Sequence, residues 1–466
     1  MLGSRRLHLL PVRRLSSTGA SLSFSSSVLR VPSGVVKGTP DDVRYKLPLL
    51  YDLSDGAKRG IPRWVDPPTN SSADTNTIGT ALAPRKRSAS WLEITYPFST
   101  DIDLRTLYML ADGTSLRAGR FLEELDAFAA DCSVRHAVDP NVLDECVRGI
   151  RPKPIAIATV AHDGLSIFSA LSAMHDFRLR GAVVSVGTTS MEVRTDVLQV
   201  NGEDEGEGEI LLGSCYTIMV ARDPNTFDKA AVAPLTGGTE CADLEAVARM
   251  RQARRKALRD MNLKMKPPMP DEVPILHEIF KEAQHARQFR QAGDDEDVRK
   301  PPFAPIPMNV SRIRNLEIMQ PKNQNRNGHM FGGYLLRRAL EAAWLSAYKH
   351  TKHPMVFAGM DDVTFGRPVE VGKIVEISSR VAFVDPDGST MRVFVDVNHI
   401  SLKSGRLEPR CEFHFVFVPP EGLKVRTPQV QPVTYAQTLM WLESRRRWLA
   451  NSSTWHDMSG TKSTPR

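Results

Sequence analysis

Two adjacent glycines in the second half of the chain stand where a helix pattern begins. The stretch NQNRNGHMFGGYLLRRALEAAW, residues 323–344, puts polar, turn-forming residues before Gly332 and Gly333, and apolar residues then recur at spacings of three and four. A Ser or Asp cap would start a helix more favourably, so the missing side chains indicate that something approaches the backbone closely. A bound ligand and a tightly packed neighbouring helix are the two alternatives.

A carboxylate in the first half lies in a second helix pattern of the same kind. Asp126 falls within GRFLEELDAFAADCSVRHA, residues 119–137, between Leu125 and Phe128. Burial disfavours a charged carboxylate, so an Asp among apolar residues is costly unless it is paired or acts as a general base. A structural Asp, hydrogen-bonded or on the wet side of the helix beside two glutamates, is the alternative.

The two glycine-led helices belong to an internal repeat. VSVGTTSMEVRTDVLQV from Val184 resembles VTFGRPVEVGKIVEISSRV from Val363, and CYTIMVARDP from Cys215 matches CEFHFVFVPP from Cys411. Aligning the glycines of the first pair predicts a longer connection after the helix in the first copy, around residues 139–154. Each half is therefore predicted to form a long helix followed by antiparallel strands, and two such sheets can pair edge to edge.

Length and composition limit the classes of protein that this chain could be. Its 466 residues suggest two or three domains, and a hydrophobic content of 41% is enough for substantial cores. No apolar run approaches the roughly 18 residues that span a bilayer. The net charge of +7 comes largely from the termini, so nucleic-acid binding is disfavoured. The five cysteines are widely spaced and form no CxxC pair, which argues against a disulfide framework or a zinc site and favours buried thiols in a reducing compartment.

The two ends of the chain have a different composition from the middle. The first forty residues contain several arginines, many serines and no acidic residue, which is typical of a mitochondrial transit peptide. A disordered basic tail is the alternative. We predict a disordered transit peptide at 1–40, an extended segment at 41–87, a first domain at 88–240, a helical connector at 241–305, a second domain at 306–445 and a disordered C-terminal tail at 446–466.

Five phrases in this order identify a resemblance. LRAGRFLEELD, VSVGTTSMEV, YTIMVARD, NRNGHMFGGYLLRRALEAAW and DDVTFGRPVEVG together resemble the mitochondrial double-hotdog acyl-coenzyme A thioesterases, relatives of the brown-fat-inducible and brain acyl-CoA hydrolases. The resemblance covers roughly residues 88–445. It implies an α+β fold of two tandem hotdog domains, each an antiparallel sheet wrapped around a long helix. It also implies hydrolysis of fatty acyl-CoA to free fatty acid and coenzyme A.

The resemblance further implies a composite site with an Asn before one helix and an acid on the helix of the other domain. The acid stands seven residues after the helix glycine, which is Asp126 counted from Gly119, and the Asn stands eight before the second glycine of the pair, which is Asn325. The reciprocal positions hold Leu340 and Ala111, so one working site and one dead site are expected. Asp126 would activate water and Asn325 would position the water or the carbonyl.

The glycine pair receives a catalytic interpretation from the same resemblance. When water attacks a thioester, the carbonyl becomes an oxyanion, which the free N–H groups of a helix start can hold. Gly332 and Gly333 would let the thioester reach those groups. We expect no cofactor and no metal. Coenzyme A is anionic, and the candidates for its phosphates are Arg312, Arg314, Arg326 and Arg367.

Other functions and residues are less well supported by the sequence. A hotdog module that binds acyl-CoA without hydrolysing it, as a sensor or scaffold, is the main alternative. A hydratase should show an Asp and His pair on a short loop, and the sequence contains no such pair. A serine hydrolase is disfavoured because the sequence contains no Gly-x-Ser-x-Gly elbow. His329 lies in the loop before the glycines and is expected to be solvated. The resemblance implies a homo-oligomer, a trimer of double-hotdog chains, in the mitochondrial matrix, with acyl-CoA as substrate and no membrane span.

Overall fold

A computed structural model describes most of the chain from residue 82 onward. The described residues are 35–36, 82–147, 154–167, 171–201, 208–237, 239–260, 263, 267–291, 305–325, 328–361, 363–420 and 427–456. Arg326 and most of the predicted transit peptide lie outside them. No helix within these ranges is long and apolar enough to cross a membrane.

One sheet of 12 strands runs through the molecule, and each half of the chain supplies one side of it. The first half contributes β1 (Val35–Val36), β3 (Leu92–Tyr96), β4 (Ala156–Ile167), β5 (Asp176–Val186), β6 (Ser190–Asn201) and β7 (Gly208–Arg222). The second half contributes β10 (Ile313–Ile318), β11 (Val356–Met360), β12 (Val363–Phe365), β13 (Ile374–Val384), β14 (Met391–Ile400) and β15 (Leu407–Val418). Two short parallel pairs join β2 (Arg85–Lys86) to β8 (Leu235–Thr236), and β9 (Ile306–Pro307) to β16 (Val430–Gln431).

Seven helices accompany the sheet in the described part of the chain. They are α1 (Ile102–Tyr108), α2 (Ala118–Ala137), α3 (Pro140–Val147), α4 (Thr239–Asp260), α5 (Val273–Gln291), α6 (Gly332–Thr351) and α7 (Tyr435–His456). The two long central helices, α2 and α6, are mostly buried and pack against each other and against the strands of their own halves. The prediction of two hotdog domains, each with a sheet around a long helix, is confirmed.

The strand order explains how the two halves become one body. The order is β1-β3-β5-β6-β7-β4-β11-β15-β14-β13-β10, with β12 pairing both β15 and β4. The seam is therefore antiparallel pairing of β4 with β11 and β12, for example His162 opposite Val363. Because each half would otherwise leave a strand edge with unpaired backbone groups, this pairing satisfies both edges at once. It also places β4, which packs against α2, in the middle of the combined sheet.

Matching serine contacts fix how the two halves correspond. The Ser90 hydroxyl accepts a hydrogen bond from the N–H of Val183 at 3.0 Å, and the Ser311 hydroxyl accepts one from the N–H of Val381 at 3.0 Å. Both serines end a short 3-10 turn that precedes the first core strand of its half. The equivalent strands are therefore β3 and β10, β5 and β13, β6 and β14, and β7 and β15, whereas β11 with β12 corresponds to β4.

The alignment of the two halves that matched Gly187 with Gly366 is wrong. Gly187 lies in the hairpin between β5 and β6, whereas Gly366 follows β12 at the seam, so the two glycines are not equivalent. Strands of one sheet share the same alternating β-branched pattern, and a glycine beside such a pattern therefore matches more than one strand. The extra material after the first central helix is the short helix α3, in place of the direct turn that joins α6 to β11.

The ends of the described chain differ from the predicted boundaries in two places. Val35–Val36 pair with Thr95 and Ile94 of β3, although 1–40 was predicted to be structureless. The free edge of β3 offers unpaired backbone groups that such a segment satisfies. At the other end α7 continues to His456, past the predicted boundary at 445, because its aromatic residues pack outside the sheet: the rings of Trp441 and Trp448 lie 5.4 and 5.6 Å from that of Phe383.

Candidate active site between the two domains

The two central helices cross at a pair of equivalent glycines. A side-chain carbon built on Gly119 would lie 3.0 Å from Cγ of Arg337, and one on Gly333 would lie 3.0 Å from the backbone oxygen of Glu123. Arg337 and Glu123 occupy equivalent positions on the two helices and form an ion pair at 3.3 Å between Nε and Oε2. The crossing point is therefore a local two-fold axis, and both glycines allow the helices to approach closely.

Gly333 consequently faces protein rather than open space. A side-chain carbon there would also lie 2.7 Å from Cε1 of the Phe331 ring, closer than real side chains pack. Gly333 is buried and its surroundings are filled by residues of both domains. The geometry supports the packing alternative for Gly333, whereas its neighbour has different surroundings.

Gly332 faces Asp126 across the domain interface. A side-chain carbon on Gly332 would lie 3.1 Å from Oδ2 of Asp126 and 3.4 Å from the ring of Phe365. Gly332 is the first residue of α6. The N–H groups of Gly332 and Gly333 therefore have no backbone acceptor within the helix. The structure thus brings together two of the predicted residues, a carboxylate oxygen of one domain and the helix start of the other.

The Asp126 carboxylate is fully buried and is held through one of its two oxygens. Oδ1 accepts a hydrogen bond of 2.7 Å from the Thr159 hydroxyl on β4, whereas Oδ2 has no hydrogen-bond partner. A buried carboxylate oxygen without a donor is unfavourable by roughly 1–3 kcal/mol or more. The two glutamates before it, Glu123 and Glu124, are also buried, so this face of α2 is not solvated.

His162 lies next to the anchored oxygen and was not foreseen from the sequence. Its Nε2 is 3.4 Å from Oδ1 of Asp126, and its Nδ1 shares a hydrogen bond of 3.0 Å with the Thr217 hydroxyl on β7. Burial alone would lower the pKa of His162, but its interactions with Asp126 and Cys215 outweigh burial and raise that pKa to about 9. Because Nε2 has no hydrogen-bond partner, the contact with Asp126 is an ion pair rather than a directional hydrogen bond.

Asn325 lies in the loop that leads to α6, where it holds a tight turn. Its backbone N–H donates to the carbonyl of His329 at 2.6 Å, and its side-chain Oδ1 accepts from the N–H of His329 at 3.1 Å. The His329 ring packs edge-on against the Phe227 ring at 5.5 Å, so His329 is half-buried rather than solvated. Phe227 has φ 61°, and its side chain reaches from the first domain to this loop. The described contacts do not join Asn325 to Asp126.

The reciprocal site is apolar at every corresponding position. Because α2 begins at Ala118 and α6 begins at Gly332, Leu340 occupies in α6 the position that Asp126 occupies in α2. Counting along the ladders from the two serine contacts places Phe357 at the position of Thr159, Met360 at that of His162 and Phe415 at that of Thr217. All three are buried. The neighbouring Glu341, one residue beyond Leu340, faces Arg117 and Arg338 instead.

The sequence gave only a weak indication of the polar strand residues that surround Asp126. Thr159, His162 and Thr217 are polar residues within otherwise apolar strands, and His162 and Thr217 are almost completely buried. A buried polar side chain needs a partner. Their partners lie on other elements, so only the pairing of β4 with β7 under α2 brings them together.

The arginines proposed for the coenzyme A phosphates lie in different places. Arg312 and Arg314 flank the carboxylate of Glu376, and Arg314 pairs with it on β10 and β13. Arg367 is exposed just after β12 and lines a cleft at the seam. The described part of the chain does not include Arg326.

Known proteins with similar sequences are named as acyl-coenzyme A thioesterases. No family model matches the chain. It is 29% identical over 374 residues to "Acyl-coenzyme A thioesterase 9, mitochondrial" of Mus musculus, covering 80% of each chain. It is 29% identical over 437 residues to "Acyl-coenzyme A thioesterase 2, chloroplastic" of Humulus lupulus, covering 91% of this chain and 92% of that one.

Solved structures of thioesterases resemble the chain less closely. The crystal structure of an apo-hexameric acyl-CoA thioesterase has a TM-score of 0.31 and 26% identity, covering 33% of this chain and 97% of that chain. A putative oleoyl thioesterase from Lactobacillus plantarum has a TM-score of 0.40 and 10% identity, covering 74% of this chain and 100% of that chain. The fold assignment rests on the strand order itself. The resemblance to the mitochondrial acyl-coenzyme A thioesterases is confirmed over about four fifths of the chain.

Proposed function

We propose that this relative of the mitochondrial acyl-coenzyme A thioesterases hydrolyses the thioester of fatty acyl-CoA to free fatty acid and coenzyme A, at one composite site between its two hotdog domains. The observation that supports this most strongly is the unpartnered Oδ2 of Asp126, buried and directed at the start of α6. Free carboxylate oxygens in such surroundings are available as general bases.

The base is held in place by the residues behind it. Thr159 fixes Oδ1 of Asp126, and His162, whose pKa is raised to about 9, places a positive charge beside the same oxygen. Both contacts leave Oδ2 free to accept a proton from water. Oδ2 would take that proton as the water oxygen attacks the thioester carbonyl carbon.

The start of α6 would stabilise the charge that develops on the carbonyl oxygen. The N–H groups of Gly332 and Gly333 lie at the positive end of the helix dipole and lack intrahelical acceptors. When the tetrahedral intermediate collapses, the carbon–sulfur bond breaks, and the coenzyme A thiolate takes back the proton from Asp126. Asn325, whose turn shapes the loop before α6, would position the water or the carbonyl.

The geometry disfavours the two alternative activities. A module that merely bound acyl-CoA would not require a buried carboxylate with a free oxygen, which is costly to maintain. A hydratase needs a histidine that reaches the substrate, but both ring nitrogens of His162 face protein groups, Thr217 on one side and Asp126 on the other. His162 therefore acts on Asp126 rather than on the substrate.

The location and assembly of the protein extend the same proposal. Mitochondrial relatives and the composition of residues 1–40 support a mitochondrial location, and we place the enzyme in the matrix. A solved thioesterase with which it shares the fold is described as hexameric. For this chain we propose a homo-oligomer, a trimer of double-hotdog chains.

Thiol release from a panel of acyl-CoAs of increasing chain length tests the activity, with Asp126→Asn as the key variant. Loss of a general base typically lowers turnover by about 10²- to 10⁴-fold. Asp126→Asn should keep the fold and coenzyme A binding, because the amide has nearly the same shape as the carboxylate. Near-wild-type hydrolysis by the folded variant would remove Asp126 from the mechanism, and no thiol release from any acyl-CoA by the wild type would remove the proposed activity.

A further inference from the structure

The loop that leads into α6 is built as one unit with the start of that helix. Its described residues are 323–325 and 328–331, which we call the entry loop. The backbone N–H of Phe331 donates to the carbonyl of Asn323 at 3.0 Å, and this bond holds the two arms of the entry loop together. Because Phe331 directly precedes Gly332, any shift of the entry loop would also shift the start of α6.

His329 connects the entry loop to both domains. Its backbone forms a bridge with Glu370 of the second domain. Its N–H donates to the side-chain oxygen of Asn325 at 3.1 Å, and its carbonyl accepts from the N–H of Asn325 at 2.6 Å. The ring of His329 contacts the first domain instead, where it meets Phe227.

Phe227 reaches the entry loop from the end of β7 with an unusual backbone conformation. Among the described residues, two that are not glycine have a positive φ, Phe227 at 61° and Lys352 at 63°. Lys352 is the C-terminal cap of α6, where left-handed residues are common, whereas Phe227 stands in a loop. A bulky side chain in this region strains the backbone, and such strain persists only where the surroundings impose it.

Hydrogen bonds within the loop after β7 impose that conformation. The Asp223 carboxylate accepts from the N–H groups of Asn225 at 2.8 Å and Thr226 at 2.9 Å. The N–H of Phe227 donates to the carbonyl of Asp223 at 3.0 Å, and the guanidinium of Arg222 donates to the carbonyl of Phe227 at 3.4 Å. The loop therefore holds the Phe227 ring in one direction, toward the entry loop of the other domain.

The Phe227 ring is placed for this contact rather than for burial. Phe227 remains 39% exposed, so it contributes little to a core. Its ring packs against the ring of His329 with centroids 5.5 Å apart and planes at 85°, and edge-to-face packing is a preferred geometry of aromatic rings. A strained residue whose ring stays exposed gains little stability from its position, and such strain is characteristic of functional sites.

We propose that Phe227 is a positioning residue for the site between the two domains. It acts through His329, which makes both hydrogen bonds of the Asn325 turn, and it keeps the start of α6 opposite Oδ2 of Asp126. The inference rests on the proposed function, because the groups that Phe227 positions are those of the thioester site. The first domain would thus supply the base and also fix the groups of the second domain that face it.

Substitution of Phe227 separates positioning from stability. Phe227→Gly removes the ring and releases the strain, because glycine adopts a positive φ freely, so Tm should hold or rise. Its kcat for the acyl-CoA that the wild type hydrolyses fastest should fall about 10- to 100-fold, with KM within about threefold, since a misplacement of about 1 Å can have that effect. Phe227→Tyr keeps the ring and should keep the wild-type kcat. Lys352→Gly releases the same strain at the far end of α6, about 30 Å away, and should leave kcat unchanged.

Hydrogen exchange measures the same contact without relying on hydrolysis. The backbone N–H groups of His329 and Phe331 are hydrogen-bonded within the entry loop, so they should be protected in the wild type, in Phe227→Tyr and in Lys352→Gly. In Phe227→Gly they should exchange at least about tenfold faster.

The outcomes distinguish failure of this inference from failure of the proposed function. Unchanged exchange in Phe227→Gly would show that Phe227 does not hold the entry loop and would overturn the proposal. Faster exchange with a wild-type kcat, or an equal loss of kcat in Phe227→Tyr, would overturn its positioning role. A wild-type protein that releases no thiol from any acyl-CoA would overturn the proposed function and the positioning role with it, and the exchange rates would still decide whether Phe227 holds the entry loop.

Discussion

The two adjacent glycines at the start of α6 should respond to substitution in opposite ways. In Gly332→Ala the new methyl carbon would lie 3.1 Å from Oδ2 of Asp126, where the attacking water is proposed to sit. In Gly333→Ala it would lie 2.7 Å from the Phe331 ring and 3.0 Å from the Glu123 carbonyl. The same one-carbon change therefore tests chemistry at one position and packing at the next.

The expected magnitudes follow from these distances. The Gly332 methyl has to displace its neighbours by only a few tenths of an ångström, and alanine is favoured over glycine in helices by up to about 1 kcal/mol, so stability should hold or rise. Excluding water from Oδ2 should lower turnover by about 10²-fold or more, as loss of a general base does. Gly333→Ala should lose about 1–3 kcal/mol from overpacking, because a backbone carbonyl cannot move aside easily.

Thermal denaturation and thiol-release kinetics on the same preparations separate the two effects. Gly332→Ala should keep its Tm and lose kcat, whereas Gly333→Ala should lose Tm and keep the rate of each folded molecule. Gly119→Ala is a matched control, since its methyl would meet the aliphatic part of Arg337 at the equivalent crossing position. A Gly332→Ala enzyme with normal kcat would refute the assignment of the space beside Oδ2 to the attacking water.

Two further predictions concern His162 and the reciprocal site. Because the folded-state pKa of His162 is raised from its ordinary 6.5 to about 9, its stabilising effect is present below pH 6.5 and is lost as the pH rises through 9. In His162→Gln the free energy of unfolding should depend less on pH, by up to about 3 kcal/mol between these pH values, as measured by denaturant titrations. An unchanged pH dependence of that free energy would contradict the ion pair with Asp126. Glu341→Gln should keep turnover within a few-fold of the wild type, since Glu341 faces Arg117 and Arg338 rather than a catalytic group; a loss like that of Asp126→Asn would show that the reciprocal site works.

The central helices were the part of the fold that the sequence predicted best. Their apolar residues recur every three or four positions over 20 residues in both α2 and α6, which is long enough for the pattern to be unambiguous. The family resemblance, counted from Gly119, singled out Asp126 as the candidate acid, and that role stays a prediction. The structure adds the reason for those glycines, since Gly119 and Gly333 mark the crossing of the helices, and only Gly332 faces the carboxylate.

The strand register and the residues behind Asp126 could not be predicted in the same way. Alternating β-branched residues mark every core strand alike, so an alignment from Gly187 and Gly366 was one strand in error. His162 and Thr159 become part of a site only when β4 is paired with β7 and covered by α2. Such contacts between distant parts of the chain depend on the tertiary fold and have no counterpart in local spacing.

The asymmetry of the two sites involves several residues at once. Asp126 is tolerated in a fully buried position because Thr159 donates to it and His162 supplies a positive charge. At the reciprocal position, a carboxylate in place of Leu340 would meet Phe357 and Met360, neither of which can donate a hydrogen bond or carry charge. An isolated buried carboxylate is strongly unfavourable and takes up a proton instead. A single substitution in the second domain would therefore create an uncompensated acid rather than a second anchored carboxylate, and only joint replacement of the helix residue and its strand partners would reproduce the polar cluster of the first domain.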